Sequence, residues 1–206
     1  DDIDLSYAAL SEPVACCVHS VRNGKIELGD DVVVIGNGIM GAIHIQLAKL
    51  RGARVIACEL DEKRLEVAKK IGADIVINSG ITDPVDEVKK LTDGRGADVV
   101  FCTVPAAALA KQAVDMTGKV GRTVFYTSFH PDNPIEISPN KIHSSEQIIT
   151  GTVNPQKKDF LIATKLLSAR LIDVSGLISE KIPLEALDSA MEKALLPDTY
   201  RIIVQP

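Results

Sequence analysis

Short apolar runs alternate along the chain with segments in which apolar residues recur every three or four positions. The runs start near residues 32, 54, 75, 98, 122 and 148, so a new run begins about every 21 to 26 residues. A continuous apolar run is typical of a parallel strand buried on both faces, and the longer period is typical of an amphipathic helix. The alternation therefore predicts an α/β fold with a doubly wound, parallel six-stranded sheet.

The first apolar run leads directly into a glycine-rich turn, which helical periodicity follows. Gly36, Gly38 and Gly41 have the spacing Gly-x-Gly-x-x-Gly. In a Rossmann sheet the first glycine permits the sharp turn, the second lets the backbone approach a pyrophosphate, and the third lets helix and strand pack closely. The alternative is that the glycines serve only a tight turn. With free N–H groups at the helix start facing the phosphates, the pattern predicts a dinucleotide site that also includes Asn37, Ile39 and Met40.

An acidic residue follows the second apolar run at the distance that a ribose-binding carboxylate has from such glycines. Glu59 lies 59 − 41 = 18 positions after Gly41, close to the roughly 20 expected. We expect its carboxylate to accept hydrogen bonds from the adenosine ribose hydroxyls and to repel a 2′-phosphate, which favours NAD over NADP. Arg64 follows Glu59 closely enough in the sequence to stack on the adenine or to offset phosphate charge. The alternative is that it is an ordinary residue of a helix surface.

Composition and charge restrict the classes of protein to which the chain can belong. With 46% hydrophobic but only 3% aromatic residues, its 206 residues can bury a sizeable aliphatic core. The net charge of −5 argues against a nucleic-acid partner, which requires a basic surface. No apolar run reaches 18 residues, and the acidic first residues do not resemble a signal peptide. The four cysteines lack disulfide-type spacing, which indicates reduced thiols. Together these features predict a cytoplasmic protein without a membrane partner.

The start of the chain departs from the rhythm of strands and helices. Residues 4–22 have a spacing that predicts helices on both sides of a turn at Glu12 and Pro13. We therefore treat residues 1–20 as a linker helix region. It precedes a predicted NAD-binding Rossmann domain at residues 21–174.

The remaining residues, 175–206, form a predicted C-terminal tail. Extended segments are expected at 177–178 and 181–183, and a final strand is expected at 201–204. Between them lies one more apolar stripe at helical spacing, formed by Leu184, Leu187, Met191 and Leu195.

Five stretches of the sequence carry a resemblance to a known family. They are EPVACCVH at 12–19, GDDVVVIGNGIMG at 29–41, QLAK at 46–49, RLEVAKKIGAD at 64–74 and RIIV at 201–204. Together they resemble the medium-chain dehydrogenase/reductase superfamily, and most of all the sorbitol and threonine dehydrogenase branch of its zinc-type alcohol dehydrogenases. The resemblance extends over essentially the whole chain.

The resemblance implies an NAD-dependent, zinc-assisted dehydrogenase of a small alcohol or polyol, in which hydride passes between a secondary alcohol and the nicotinamide. It also implies an N-terminal, GroES-like catalytic domain that supplies the remaining zinc ligands and to which the terminal segments of this chain would belong. We expect this chain alone to be inactive. One alternative is a non-catalytic module that binds NAD and nothing more. Another is a methyltransferase, which also binds an adenosine at a glycine-rich turn.

The resemblance further implies roles for single residues, although it assigns no catalytic residue. Glu12 matches a glutamate at the catalytic zinc, where an oxygen ligand is suitable; the alternative is a surface acid before a proline. Relatives pair the edge of the sixth strand across a two-fold axis, so we expect a homodimer or homotetramer. Contacts with the cofactor are implied for Thr103, Val104, Tyr126, Thr127, Ser128 and Arg201.

Overall fold

A computed structural model describes residues 3–206; Asp1 and Asp2, the acidic start of the chain, lie outside the described residues. The strands are β1 Asp31–Ile35, β2 Arg54–Glu59, β3 Ile75–Asn78, β4 Ala97–Cys102, β5 Thr117–Phe125, β6 Ile148–Gly151, β7 Glu180–Pro183 and β8 Ile202–Gln205. The helices are α1 Leu5–Ala8, α2 Ser11–Gly24, α3 Ile39–Leu50, α4 Glu62–Lys70, α5 Pro84–Leu91, α6 Ala107–Met116, α7 Pro139–Ser145, α8 Lys157–Ser168 and α9 Leu187–Ala194, with short 3₁₀ turns at Ser175–Leu177 and Leu184–Ala186.

Six parallel strands form the main sheet in the order β3-β2-β1-β4-β5-β6. The predicted doubly wound sheet is thereby confirmed. β1 lies between β2 and β4, and the chain order reverses at this point. Because all six strands run the same way, their carboxyl ends meet at one edge, where such sheets bind ligands.

Helices cover both faces of the sheet, so the central strands are buried on both sides. Every residue of β1 is buried. Val32 and Val34 face a cluster that includes residues of α2, α3 and α8, whereas Val33 and Ile35 face a second cluster with residues of α5 and α6. This alternation explains why β1 appears in the sequence as an unbroken apolar run.

The first helices differ from the prediction. Glu12 and Pro13 do not separate two helices, because both lie in the first turn of α2. A proline is tolerated there, since the N–H groups of the first turn have no partner inside the helix. The break falls earlier, at Ala9 and Leu10. The proposed boundary after residue 20 lies inside α2, and the division into three regions stays a prediction.

The fifth strand and the tail also differ in detail from the sequence analysis. β5 begins at Thr117, where Thr117 pairs with Ala97, and a register shift follows before the regular ladder. The segment expected to be extended at 177–178 begins instead in a 3₁₀ turn.

In the tail, β7 and β8 form a separate parallel pair. Lys181 Nζ lies 2.9 Å from an oxygen of Asp4, so this small sheet contacts the start of the chain. The predicted apolar stripe is exposed throughout, with exposed fractions from 43% at Leu187 to 86% at Leu195. Within residues 3–206, no helix has both the length and the apolar character needed to cross a bilayer.

Candidate functional site

The candidate site lies at the carboxyl ends of the central strands. β1 ends at Ile35, and the turn Gly36–Gly41 leads directly into α3. Glu59 ends β2, Thr103–Val104 follow β4, and Tyr126–Ser128 follow β5. The structure therefore brings these predicted residues to one edge of the sheet.

Two of the three glycines are required by the turn itself. Gly36 has a φ of +87°, and a Cβ atom there would lie 2.3 Å from Cγ2 of Val104. A Cβ atom on Gly41 would lie 1.8 Å from the carbonyl oxygen of Gly36, because the start of α3 packs against the end of β1. Both residues must therefore be glycine whether or not a ligand binds.

Gly38 differs, because the surrounding protein does not require a glycine there. Its φ of −63° is available to any residue. Within the described residues, a Cβ atom on Gly38 would meet only Nη1 of Arg64, at 3.8 Å. Gly38 is also the N-cap of α3, and no side chain of the described part of the chain caps the first N–H groups of that helix. Open space beside uncapped N–H groups is suitable for an anion such as a pyrophosphate.

The Glu59 carboxylate is held beside the glycine turn by backbone donors. Its Oε2 accepts one hydrogen bond, from the N–H of Asn37 at 2.8 Å. Its Oε1 accepts two, from the N–H groups of Leu60 at 2.7 Å and Asp61 at 3.3 Å, so the free acceptor capacity lies mainly on Oε2. Each carboxylate oxygen can accept more than one hydrogen bond. Glu59 can therefore fix the turn and still accept hydroxyl groups of a ligand.

The side chain of Asn37 is buried in the turn without a polar partner. Asn37 is only 1% exposed, and neither its Oδ1 nor its Nδ2 has a hydrogen-bond partner within residues 3–206. An unpaired buried amide costs on the order of 1–3 kcal/mol, so such a group requires an explanation. One explanation is a bound ligand that supplies the missing donor and acceptor.

The end of β4 fixes the glycine turn from the other side. The Thr103 hydroxyl donates to the carbonyl oxygens of Ile35 and Gly36, at 2.9 and 3.1 Å. Val104 fills the space against Gly36, where a Cβ atom would collide with it. Thr103 and Val104 thus hold the turn in shape.

A buried polar cluster lies beneath the start of α3. The Tyr126 hydroxyl donates to the sulfur of Met40 at 3.2 Å, and the Met40 carbonyl lies 2.7 Å from Nδ1 of His44. Nε2 of His44 lies 2.8 Å from the Ser20 hydroxyl. Burial lowers the pKa of His44 to about 4 and raises that of Tyr126. Both groups are therefore neutral near pH 7 and act as hydrogen-bonding supports for α3.

Arg64 joins the site to the C-terminal tail. Its Nη2 donates to the carbonyl oxygen of Pro197 at 2.5 Å, and its guanidinium lies 5.8 Å from the ring centre of Tyr200. Neither tail residue, Pro197 or Tyr200, was predicted to belong to the site. No local signal could have found them, because Arg64 and Tyr200 are 136 positions apart (200 − 64).

The other predicted cofactor contacts lie at the rim. Ile39 is partly buried in the first turn of α3, and Thr127 is partly buried after β5. Ser128 is exposed, and its carbonyl oxygen lies 3.4 Å from the Thr127 hydroxyl. Arg201 is exposed immediately before β8. The roles of these four residues stay predictions.

Glu12, the predicted metal ligand, is exposed in the first turn of α2. Its Oε1 accepts a hydrogen bond from the Cys16 thiol at 3.2 Å, and burial together with this carboxylate raises the pKa of Cys16 to about 12. Across residues 3–206, no three or more His, Cys, Asp or Glu side chains are grouped so as to hold a metal ion. The described residues therefore do not by themselves form the three-ligand set of a catalytic zinc.

Comparison with known proteins decides the family. The family described as zinc-binding dehydrogenase matches residues 40–169, which include most of the sheet and the glycine turn from Met40 onward. The chain belongs to this family. The resemblance to zinc-type alcohol dehydrogenases of the medium-chain superfamily is thereby confirmed.

Curated relatives of the chain are named for polyols and related alcohols. The chain is 31% identical to a sorbitol dehydrogenase of Halalkalibacterium halodurans over 99% of this chain and 60% of that enzyme. It is 29% identical to a D-arabitol-phosphate dehydrogenase of Enterococcus avium, over 100% of this chain and 59% of that enzyme. The chain thus spans about 60% of the length of these curated relatives.

Solved structures share the fold. A 2R,3R-butanediol dehydrogenase from Bacillus subtilis has a TM-score of 0.87 at 30% identity. The match covers 100% of this chain and 59% of the butanediol dehydrogenase chain. A zinc-binding dehydrogenase from Sinorhizobium meliloti 1021, described as putative and bound to NADP, has a TM-score of 0.90 at 25% identity over 99% of this chain and 61% of its own. Both likenesses confirm the predicted Rossmann architecture.

Proposed function

We propose that the chain is the cofactor-binding part of an NAD-dependent, zinc-type alcohol or polyol dehydrogenase. The observation that carries this proposal is the glycine turn, where the Asn37 side chain is buried beside the Glu59 carboxylate and has no polar partner within residues 3–206. Bound NAD would supply the nicotinamide that exchanges hydride with a secondary alcohol. The residues of this chain bind that cofactor, orient it and keep water from part of its surface.

The glycine turn fits a dinucleotide in three respects. The space beside Gly38 lets a pyrophosphate reach the uncapped N–H groups of α3, where the helix dipole favours negative charge. The Asn37 side-chain amide offers a donor and an acceptor that residues 3–206 leave unpaired. The Thr103 hydroxyl keeps the turn in this shape through its bonds to the carbonyl oxygens of Ile35 and Gly36.

The preference for NAD rests on the charge of Glu59. Its oxygens can accept hydrogen bonds from the adenosine ribose hydroxyls at the end of β2, where dinucleotide folds bind that sugar. A 2′-phosphate in the same place would be repelled by the carboxylate. The Coulomb repulsion is about 4 kcal/mol for unit charges 4 Å apart near a protein surface. Arg64 lies beside the turn and offsets part of this repulsion, so the preference is a matter of ratio rather than exclusion.

The nicotinamide half of the cofactor would lie along the ends of β4 and β5. Thr103 and Val104 border it on one side, and Tyr126, Thr127 and Ser128 border it on the other, while Arg201 reaches toward the pyrophosphate. The buried contact between Tyr126 and Met40 gives this wall a fixed position relative to the start of α3.

Zinc enters the proposal only with ligands beyond those that the described residues supply. Glu12 would contribute one oxygen at most, and the described residues offer no set of three ligands. We therefore derive no catalytic step through the metal and expect the 206 residues by themselves to bind NAD without oxidising an alcohol. A module that only binds NAD is the second candidate function, and this ligand count favours it for the isolated chain.

Calorimetric titration tests the proposal, with NAD and NADP each added to the unchanged protein and to two variants. Glu59→Ala removes the carboxylate that would bind the ribose. Glu66→Ala removes the same charge from the exposed face of α4 and is the matched control. We expect NAD to bind more tightly than NADP to the unchanged protein and to Glu66→Ala. In Glu59→Ala, NAD should bind about 10- to 100-fold more weakly, because hydrogen bonds to a charged acceptor are lost.

Two results would contradict the proposal. If neither dinucleotide binds to the protein, including in its full-length form with any further domain, the glycine turn is not a dinucleotide site. If both bind but Glu59→Ala leaves the ratio of NAD to NADP affinity unchanged, the turn binds a dinucleotide but Glu59 does not select it.

A further inference from the structure

Tyr200 has a buried hydroxyl group that no described residue pairs. The residue is partly buried in the tail, just before β8, and its hydroxyl oxygen is shielded from solvent. Within residues 3–206, no donor or acceptor lies within hydrogen-bond reach of that oxygen. An unpaired buried hydroxyl costs on the order of 1–3 kcal/mol of folding stability, which a phenylalanine at this position would avoid.

The hydroxyl belongs to the surroundings of the glycine turn. Arg64 connects the two, because its Nη1 is the nearest atom to the space beside Gly38, and its guanidinium lies over the Tyr200 ring at 5.8 Å. The same guanidinium donates to the carbonyl oxygen of Pro197, which fixes the tail at this place. Tyr200 therefore lies at the adenosine end of the candidate site.

The charges around Tyr200 indicate what the hydroxyl can do. Burial raises its pKa, the Arg64 guanidinium lowers it, and the carboxylates of Glu59 and Asp61 raise it again. The hydroxyl is therefore a neutral O–H that can both donate and accept. A ribose hydroxyl bound to the Glu59 carboxylate has a free oxygen lone pair, which is the kind of acceptor that Tyr200 lacks.

We propose that Tyr200 contacts the cofactor directly and hydrogen-bonds a ribose hydroxyl of the adenosine half of NAD. This inference rests on the proposed function, since it places Tyr200 at the same dinucleotide site. The C-terminal tail thereby completes the adenosine subsite, and Arg64 positions the tail by holding Pro197 and stacking on Tyr200.

The substitution Tyr200→Phe tests the inference, because it removes only the hydroxyl and keeps the ring under Arg64. We expect NAD to bind about 3- to 10-fold more weakly, the effect of one hydrogen bond. In urea unfolding without ligand, the free energy of unfolding should stay unchanged or rise, because an unpaired buried polar group is lost. A merely structural hydroxyl would not give weaker binding together with equal or higher stability. Tyr7→Phe, in α1, is the control and should change neither measurement.

Cofactor analogues identify the atom that is contacted. NAD with a 2′-deoxyadenosine and NAD with a 3′-deoxyadenosine are titrated into the unchanged protein and into Tyr200→Phe. For the analogue that lacks the contacted hydroxyl, the two proteins should bind equally. For the other analogue, the 3- to 10-fold difference should persist.

The outcomes separate this inference from the proposed function. If the unchanged protein binds neither dinucleotide, also in its full-length form, the proposed function fails and Tyr200 has no cofactor to contact. If the unchanged protein binds NAD and Tyr200→Phe binds it equally well, the inference is wrong while the proposed function stands. The inference is also wrong if both deoxy analogues retain the full difference between the two proteins, because the hydroxyl then affects binding without touching the ribose.

Discussion

The substitution Gly38→Ala separates what a ligand requires from what the fold requires. Gly38 has a φ of −63°. Among residues 3–206, a Cβ atom there would meet only Arg64 Nη1, at 3.8 Å, which is ordinary van der Waals contact. An alanine at an N-cap is less favourable than a glycine, but it also lowers the entropy of the unfolded chain. These effects oppose each other, so we expect the free energy of unfolding to change by no more than about 0.5 kcal/mol.

Binding should respond quite differently. The methyl group of Gly38→Ala projects into the space through which a pyrophosphate would approach the N–H groups of α3. We expect NAD to bind at least about tenfold more weakly, which corresponds to about 1.4 kcal/mol. Calorimetric titration with NAD measures this change, and urea unfolding of the same samples measures stability.

Gly41→Ala is the matched comparison on the same turn. Its Cβ atom would lie 1.8 Å from the carbonyl oxygen of Gly36, so the start of α3 must move away from β1. We expect a loss of stability of at least about 1–3 kcal/mol, as for other overpacked sites. If Gly38→Ala binds NAD as well as the unchanged protein does, or is destabilised as much as Gly41→Ala, the role assigned to Gly38 is wrong.

Two further predictions concern pH and assembly. Because burial lowers the pKa of His44 to about 4, from about 6.5 in an unfolded chain, its contribution to stability is present above pH 6.5 and is lost as the pH falls toward 4. In urea unfolding the protein should lose about 2 kcal/mol more between pH 7 and pH 5 than His44→Gln does, and equal losses would contradict this. β6 is the edge of the sheet and Ile148 is 41% exposed, so light scattering should show a multiple of the 22.1 kDa chain mass that Ile148→Lys reduces to one chain. A single-chain mass at every concentration of the unchanged protein would contradict the predicted oligomer.

The main sheet could be predicted because its signals are local. β1 is apolar at four of its five positions and buried at all five, and the turn that follows has glycines where the backbone needs them. Where the structure differs from the prediction, the difference arises from strand pairing or from the position of a residue within a helix. Thr117 joins β5 through its partner Ala97, which the neighbouring sequence does not indicate. Pro13 usually marks a break, but in the first turn of α2 it removes an N–H that has no partner in the helix.

The candidate site was predictable only in part, for a related reason. The place of Glu59 at the end of β2 follows from its spacing to the glycines, because only one helix, α3, separates the turn from β2. That the Asn37 side chain is buried, with no polar partner among residues 3–206, depends on how the folded chain packs around the turn, and periodicity does not report packing. The contact of Arg64 with the tail joins residues far apart in the sequence, so only the folded chain shows it.

Glu59 has two roles in this structure, and the difference determines how its variants must be interpreted. Its Oε2 bonds the N–H of Asn37 at 2.8 Å, so the carboxylate stabilises the glycine turn before any ligand arrives. Glu59→Ala should therefore weaken NAD and NADP alike by loosening the turn, in addition to removing the ribose contact. Only the ratio of the two affinities reports the charge, because the loss of the turn is common to both cofactors and cancels. If the affinities for NAD and NADP fall by the same factor, the variant would demonstrate a dinucleotide site but not a preference. A shift in the ratio of the two affinities toward NADP would demonstrate both.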